Sequence, residues 1–205
     1  MRNLTESTFV IRFERGDLAF CAGQYVNLAP VNDEAQRSYS LYSAEHDDFL
    51  EILVKEVDDG YISKRLKMHQ PGDQLRVEGP FGFFTIDEKD YDKSFLFVAS
   101  GTGLAPVHSF VASYPALDYI VLHGVRYAQE AYEKDDYDPD RHILCTSRDS
   151  SGRFVGRVTD CLAGRVVAPE THCYLCGNHQ MIYDIYELLR AGDVHEENIH
   201  TEVYF

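Results

Sequence analysis

Up to about Asp87 the chain is a succession of short runs in which apolar and polar residues alternate: Thr8-Phe9-Val10-Ile11-Arg12-Phe13, Tyr25-Val26-Asn27-Leu28, Ser38-Tyr39-Ser40-Leu41-Tyr42, Phe49-Leu50-Glu51-Ile52-Leu53-Val54 and Gln74-Leu75-Arg76-Val77. Gly23, Gly60, Pro71-Gly72-Asp73 and Gly79-Pro80 punctuate them. Closely spaced alternating runs with polar turns predict antiparallel strands closing into a barrel or sandwich. Past Lys93 the texture changes. Phe95-Leu96-Phe97-Val98-Ala99 and Tyr119-Ile120-Val121-Leu122 are apolar throughout and are separated by helix-compatible stretches; His142-Ile143-Leu144-Cys145-Thr146 and Cys173-Tyr174-Leu175-Cys176 continue the series. Strands covered on both faces and alternating with helices predict a doubly wound parallel sheet. The change of texture divides the chain into residues 1–90 and 91–205. The one compositionally biased stretch, Glu130 to Asp140, is rich in Asp and Tyr and reads as a solvated connection rather than an acidic docking site.

The length of 205 residues suits two domains of about 100 residues each. With 19 Lys+Arg against 34 Asp+Glu, the formal charge of -15 argues against a nucleic-acid binder, whose affinity comes from neutralising phosphates. Five cysteines in no framework spacing read as free thiols of a reducing compartment. Met1-Arg2-Asn3-Leu4-Thr5-Glu6 lacks the apolar stretch of a signal peptide, and no apolar run approaches the roughly 18 residues of a membrane span. A cytoplasmic monomer with no membrane insertion is expected.

Two short segments carry the chemistry. Arg37-Ser38-Tyr39-Ser40 offers a guanidinium for a diphosphate, a phenol ring for a flat heterocycle and a hydroxyl for its edge. Gly101-Thr102-Gly103-Leu104-Ala105-Pro106 follows a strand-like run and opens a helix-like one, so its bare amides suit a second diphosphate, although the third glycine of the dinucleotide fingerprint is missing. Two ring-bearing anionic ligands in one small protein suggest two nucleotides meeting face to face, as a hydride transfer requires. The plainer alternatives are a half-exposed strand and a strand-to-helix turn with no ligand. Gly60-Tyr61-Ile62-Ser63 opens a further helix-like segment, whose amides and Ser63 hydroxyl suit a diphosphate or simply cap a helix. His172-Cys173-x-x-Cys176-x-x-His179 resembles a metal site, but strand alternation sends the two cysteines to opposite faces, and no metal ligands are expected. The same geometry opposes a redox pair.

In this order, Arg37 to Ser40, Gly60 to Ser63, Gly101 to Pro106, Cys176-Gly177-Asn178 and Glu202-Val203-Tyr204-Phe205 resemble the ferredoxin–NADP reductase family, and most closely its bacterial ferredoxin/flavodoxin reductases. The resemblance implies an FAD-binding antiparallel Greek-key β-barrel followed by an NADP-binding α/β domain. The strand before Asn3 is mostly absent, which predicts a barrel short of a strand or closed in another way. The family pattern places Arg37 on the FAD diphosphate with Ser38 beside it, Tyr39 on the isoalloxazine, Ser40 at flavin N5, the backbone of Val54 and Lys55 along the flavin, and Gly60, Tyr61, Ile62 and Ser63 at the diphosphate. Gly101, Thr102 and Gly103 then take the NADP(H) diphosphate. Cys176, Gly177 and Asn178 lie beside the nicotinamide, with Cys176 at the reacting ring. Ser147, Arg148 and Arg157 match positions that bind the 2′-phosphate, Arg126 matches a further one, and Arg153 stands near; surface arginines with no ligand are the alternative.

A chain ending in two aromatics wastes apolar area unless they are docked. The resemblance puts Tyr204 over the flavin, Phe205 on the adenine part of FAD, and Glu202 at the flavin edge as a proton relay or positioning group. Packing of a last strand, Thr201 to Tyr204, for stability alone is the plainer account. The implied activity is an FAD-dependent reductase that exchanges hydride with NADPH and passes electrons singly to ferredoxin or flavodoxin, which would dock at the basic run Lys64-Arg65-x-Lys67. A reductase component of an oxygenase, a free-flavin reductase, and a non-enzymatic nucleotide-binding electron-transfer subunit remain as alternatives.

Overall fold

The computed structural model describes residues 1–31 and 33–204. The first half forms two three-stranded antiparallel sheets. One is ordered β1 (Arg2–Asn3), β2 (Thr8–Glu14), β5 (Phe49–Lys55), and the other β4 (Arg37–Ser40), β3 (Tyr25–Pro30), β6 (Leu75–Phe81). A bridge between Leu41 and Ile52 joins them, so the strands run β1-β2-β5-β4-β3-β6, a Greek-key barrel wall. The alternating pattern explains the layer. Phe9, Ile11, Val26, Leu28, Leu41, Ile52 and Val54 point to one buried core, while Arg12 and Phe13 stay outside it or at its margin. β1, which was expected to be short, is two residues long and pairs with β2.

Gly79-Pro80, expected as a turn, lies inside β6. Tyr25 pairs with Phe81 and Asn27 with Glu78, so Gly79 and Pro80 together oppose Val26 in a bulge. A bulge is where a strand tolerates both a proline and the positive φ of Gly79, 142°. Helix α1 (Tyr61–Lys67) follows β5 and buries Ile62, Ser63 and Leu66.

The second half is a six-stranded parallel sheet ordered β10 (Phe154–Val155), β9 (His142–Thr146), β8 (Asp118–Val125), β7 (Ser94–Ser100), β11 (His172–Gly177), β12 (Ile199–Val203). Alternation splits its apolar strands between two cores. Phe95, Phe97, Tyr174 and Cys176 face α2 (Leu104–Ser113), whereas Leu96, Val98, Cys173 and Leu175 face α3 (Val158–Ala163) and α4 (His179–Ala191). Ile182, Ile185 and Leu189 give α4 its buried stripe. The chain winds outward from β7 in both directions, which sets the topological switch between β7 and β11.

The two halves share a core. Tyr42, Leu53 and Phe84 pack with Phe97, Phe110 and Tyr174. Each fully buried aromatic of this kind stabilises by on the order of 2–3 kcal/mol. Polar contacts add orientation. On α2, Ser109 Oγ donates to the Ser43 carbonyl at 2.7 Å, Ser113 Oγ accepts from the Glu45 amide at 2.9 Å, and His108 Nδ1 meets the Tyr42 carbonyl at 2.7 Å. The helix that begins at Gly101-Thr102-Gly103 is thereby fixed to the segment that follows Ser40. The stretch from Glu130 to Asp140 is not simply solvated, because Tyr132 and Tyr137 insert into this shared core.

Candidate active site

The parallel strands deliver their carboxyl ends to one rim. Register sets Ala99, Cys176 and Glu202 side by side on β7, β11 and β12. The Tyr204 amide donates to the Gly177 carbonyl at 2.9 Å, which carries Tyr204 back towards the barrel. There the Tyr204 hydroxyl donates to Ser40 Oγ at 2.6 Å, and Ser40 Oγ donates to Glu202 Oε1 at 2.8 Å. Residues from β4, β12 and the segment after it thus form one directional chain ending on a carboxylate. The Cys176 thiol lies against Tyr204. Burial raises the Glu202 carboxyl above its ordinary value, with the Ser40 bond opposing it. Burial pushes the Cys176 thiol well up, the Glu202 charge adds to this, and the contact with Tyr204 opposes it. Tyr204 is likewise pushed well up by burial.

Two glycines let the rim close. A Cβ on Gly103 would lie 2.4 Å from the Cys176 carbonyl oxygen, and one on Gly177, at φ 131°, would lie 2.3 Å from Ser100 Oγ. The turn after β7 and the turn after β11 therefore touch backbone to backbone. Ser100 Oγ also accepts from the Asn178 amide at 2.9 Å. The Asn178 side chain caps α4 by accepting from the Gln180 and Met181 amides. The Ser100 side chain does not cap the short 3₁₀ turn at Gly101–Gly103. Pro106 sits in the first turn of α2, where a missing N–H costs no hydrogen bond.

Sequence reasoning missed two supports of this turn. His123, wholly buried on β8, is driven down to about 3, first by burial and then by His142. The neutral ring meets the Gly101 carbonyl through Nε2 at 3.1 Å. The other is Ser100; neither stands out in a sequence, because a histidine or serine closing an apolar strand has many uses.

On the barrel, alternation along β4 puts Arg37 and Tyr39 on one face and Ser38 and Ser40 on the other. Tyr39 is half-buried, and burial raises it to about 12 against the opposing Arg37 charge. Ser38 Oγ donates to Asn27 Oδ1 at 2.8 Å. The Val54 side chain is wholly buried, so only its backbone could meet a ligand, whereas Lys55 at the end of β5 is half-buried. Gly60 precedes α1 without a side-chain cap, Tyr61 is exposed, Ile62 is buried, and Ser63 Oγ accepts from the Val57 amide at 3.3 Å. A guanidinium, a partly open phenol ring and an uncapped helix start are the donor set that a flavin dinucleotide needs.

At the outer rim, the Ser147 and Arg148 amides donate to the Val125 and Arg126 carbonyls at 3.1 and 2.9 Å, and the Gly156 amide donates to the Thr146 carbonyl at 2.8 Å. These bonds bring Arg126, Ser147, Arg148 and Arg157 to neighbouring strand ends, all four exposed. Asp149 is tied to the backbone there. Its carboxylate accepts from the Ala128 and Ser151 amides at 2.6 and 2.8 Å, and these bonds hold it below the usual range. Arg153 is turned away onto the Pro139 and Asp140 carbonyls at 2.8 and 3.3 Å. Cys173 and Cys176 sit in different cores, so the His172 to His179 motif does not converge. The basic run is internally engaged: Lys64 with the Asp58 carbonyl, Arg65 with Asp33 at 2.9 Å, Lys67 with Glu56. Phe205 lies outside the described residues.

Among the described residues no helix is long and apolar enough to cross a membrane. Residues 2–86 match the family model for the oxidoreductase FAD-binding domain, and residues 97–187 match that for the oxidoreductase NAD-binding domain. The chain is similar to ferredoxin–NADP reductase B of Sorangium cellulosum, with 32% identity covering all of this chain and 94% of the relative. It is also similar to the toluate 1,2-dioxygenase electron transfer component of Pseudomonas putida, with 27% identity over all of this chain but 65% of that one. The fold matches a Neisseria gonorrhoeae ferredoxin NADP+ reductase, solved with bound FAD and NADP, at a TM-score of 0.88 and 22% identity, covering 100% of this chain and 95% of that one. With two cofactor domains in this order and a relative matched along nearly its full length, the chain belongs to the ferredoxin–NADP reductase family and is a flavin- and nicotinamide-dependent oxidoreductase.

Proposed function

We propose that this flavoenzyme oxidises NADPH and delivers electrons singly to a ferredoxin or flavodoxin. The observation that carries the reading is the Tyr204–Ser40–Glu202 chain of hydrogen bonds, which joins the barrel to the rim at the switch between β7 and β11. Bound FAD supplies the conversion between two-electron and one-electron chemistry. Arg37 and the start of α1 bind its diphosphate, with Ser38 and the backbone of Val54 and Lys55 alongside, and Tyr39 stacks on its ring. Ser40 orients the ring edge by its hydroxyl. Glu202, raised by burial above its ordinary value, accepts from the Ser40 hydroxyl and is placed to exchange a proton through it as charge develops nearby. Tyr204 covers the site against water and must turn aside for the nicotinamide, for which Gly101, Thr102 and Gly103 provide the diphosphate cradle and Cys176, Gly177 and Asn178 the wall.

The preference for NADPH rests on Arg126, Ser147, Arg148 and Arg157, because a compact dianion calls for guanidinium forks and hydroxyls. A division of labour between residues 1–90 and 91–205 accords with this assignment, and five free thiols accord with a cytoplasmic setting. The similarity to the toluate dioxygenase component supports a second reading, in which the electrons go to an oxygenase.

The test is an absorbance spectrum of the purified protein. A flavin spectrum, FAD on release, and bleaching by NADPH well below the NADH concentration needed are expected; FMN, or bleaching by both at equal concentration, would overturn the cofactor reading. Removing Tyr204 and Phe205 should tighten NADP⁺ binding to the oxidised protein, and unchanged binding would reject displacement of the ring. Rapid reduction of a purified flavodoxin or ferredoxin separates the first acceptor reading from the second.

A further inference from the structure

A second cluster of ionisable groups lies where α2 meets the segment after β8. His108, Glu133 and Asp136 each bring one ligand atom to within 4.8 Å of the others. The tautomer of His108 follows from its partner. Nδ1 sits 2.7 Å from the Tyr42 carbonyl, which can only accept, so Nδ1 carries hydrogen. In the neutral ring, Nε2 then turns a lone pair towards the Asp136 carboxylate 3.0 Å away. Two acceptors this close need a positive centre between them or beside both.

A proton on Nε2 would answer Asp136 alone. Glu133 Oε2 and the hydroxyl of the wholly buried Tyr42 are both buried, and that hydroxyl, facing Glu133 and Asp136, approaches Glu133 only at the margin of hydrogen-bond geometry, which leaves the charge of the carboxylate poorly answered. The Tyr137 hydroxyl, also buried and unpartnered, faces the same two carboxylates. Arg2 reaches the other Glu133 oxygen at 2.7 Å but is shared with Glu51. A cation would serve His108 Nε2, Asp136 and Glu133 Oε2 together. Neighbouring ligands on such an ion stand roughly 3–3.4 Å apart when each bond is about 2.0–2.1 Å; the 3.0 Å between His108 Nε2 and Asp136 fits this, and Glu133, within 4.8 Å of both, would close on the ion as it binds. One imidazole with two carboxylates suits a first-row divalent metal rather than magnesium, and an imidazole that donates its far N–H to a backbone carbonyl is oriented as metal-bound histidines are.

We propose that His108, Glu133 and Asp136 bind a divalent transition-metal ion of the zinc class, clamping α2 and the segment after β8 against the Tyr42 stretch of the barrel. No such site is expected from the sequence, since the three residues show no ligand spacing. Asp136 is exposed, which gives the ion a path from solvent.

Tag-free protein stripped with a chelator is titrated with Zn²⁺ by calorimetry and with Co²⁺ by visible absorption. A single saturable equivalent, Co²⁺ bands displaced by Zn²⁺, no binding of Mg²⁺ at the same concentrations, and a melting temperature that climbs with Zn²⁺ are expected. Asp136→Asn should weaken Zn²⁺ at least about tenfold, and His108→Ala should remove the Co²⁺ bands. Arg2→Ala should tighten Zn²⁺ binding, because the competing cation leaves Glu133. His179→Ala, outside the cluster, should change nothing. Absence of saturable binding in the parent, or unchanged Zn²⁺ affinity in a folded Asp136→Asn protein, would overturn the site even if His108→Ala fails to fold.

Discussion

The Ser40–Glu202–Tyr204 network and the Arg126–Arg148–Arg157 edge lie along the same rim, at the carboxyl ends of the parallel strands, yet they are built in opposite ways. In the first, each polar side chain is held by another side chain, and burial raises both the Glu202 carboxyl and the Cys176 thiol. In the second, the loops are fixed by backbone bonds and by the Asp149 carboxylate, while the arginine side chains project into solvent. A group that must act on a reacting ring gains from preorganisation, because nothing has to reorganise when charge moves. A group that selects a phosphate gains from a fixed base and a free head, because the ligand supplies the partner.

The largest effect that could break this contrast is expected at Ser40. Ser40→Ala should leave the fold intact and lower the turnover of NADPH with a small dye acceptor by about a hundredfold, the size seen when a preorganised donor is removed. A loss of less than about threefold would mean that the network packs the barrel against the sheet and does no more.

Next comes the outer rim. Arg148→Ala with Arg157→Ala should lower kcat/KM for NADPH by roughly 10–100-fold, as the loss of charge-assisted bonds to a dianion implies, and leave NADH almost untouched. Equal losses for the two nucleotides would show that the exposed arginines do not read a phosphate.

Glu202 sharpens the other side of the comparison through stability. Its native pKa lies above the ordinary carboxylate value. Between the two values the native state binds more protons than the unfolded one, so stability is fully present below the ordinary pKa and falls as pH rises through the native one. Glu202→Gln should flatten that fall while weakening the Ser40 contact. Melting temperatures of both proteins across the weakly acidic range check it, and parallel curves would mean that Glu202 ionises as freely in the native state as in the unfolded one.

These differences also explain what the chain discloses as a string. Alternation at Thr8 to Phe13 and Phe49 to Val54, and unbroken apolar runs at Phe95 to Ala99 and Cys173 to Cys176, mark the strands because burial acts on every residue of them. The opposite facing of Cys173 and Cys176 was legible for the same reason. Gly79-Pro80 misleads, because a bulge and a turn call for the same residues. The support of Gly101 by His123, and the meeting of Gly103 with Cys176, depend on strand order, which no local pattern encodes. The fate of each arginine was hidden too, since nothing local in the sequence tells that Arg153 reaches the Pro139 and Asp140 carbonyls.

The smallest effect is expected at the basic run of α1. If acceptor docking followed the rule of the outer rim, Lys64, Arg65 and Lys67 would hold their charges out to solvent. Instead Lys64 turns to the Asp58 carbonyl, Arg65 pairs with Asp33 and Lys67 with Glu56, in a chain whose formal charge is -15. An acidic carrier approaching α1 would have to compete with carboxylates already in place, and the long-range field would oppose it. Lys64→Ala with Lys67→Ala should therefore change the KM for a flavodoxin or ferredoxin by at most about fivefold, the scale of a surface ion pair near 1 kcal/mol, and should leave dye reduction as it was. Salt should alter the acceptor on-rate only weakly. A rise in acceptor KM well beyond tenfold, with dye turnover preserved, would mean that the internal pairs open on docking, and that α1 follows the rule of the outer rim after all.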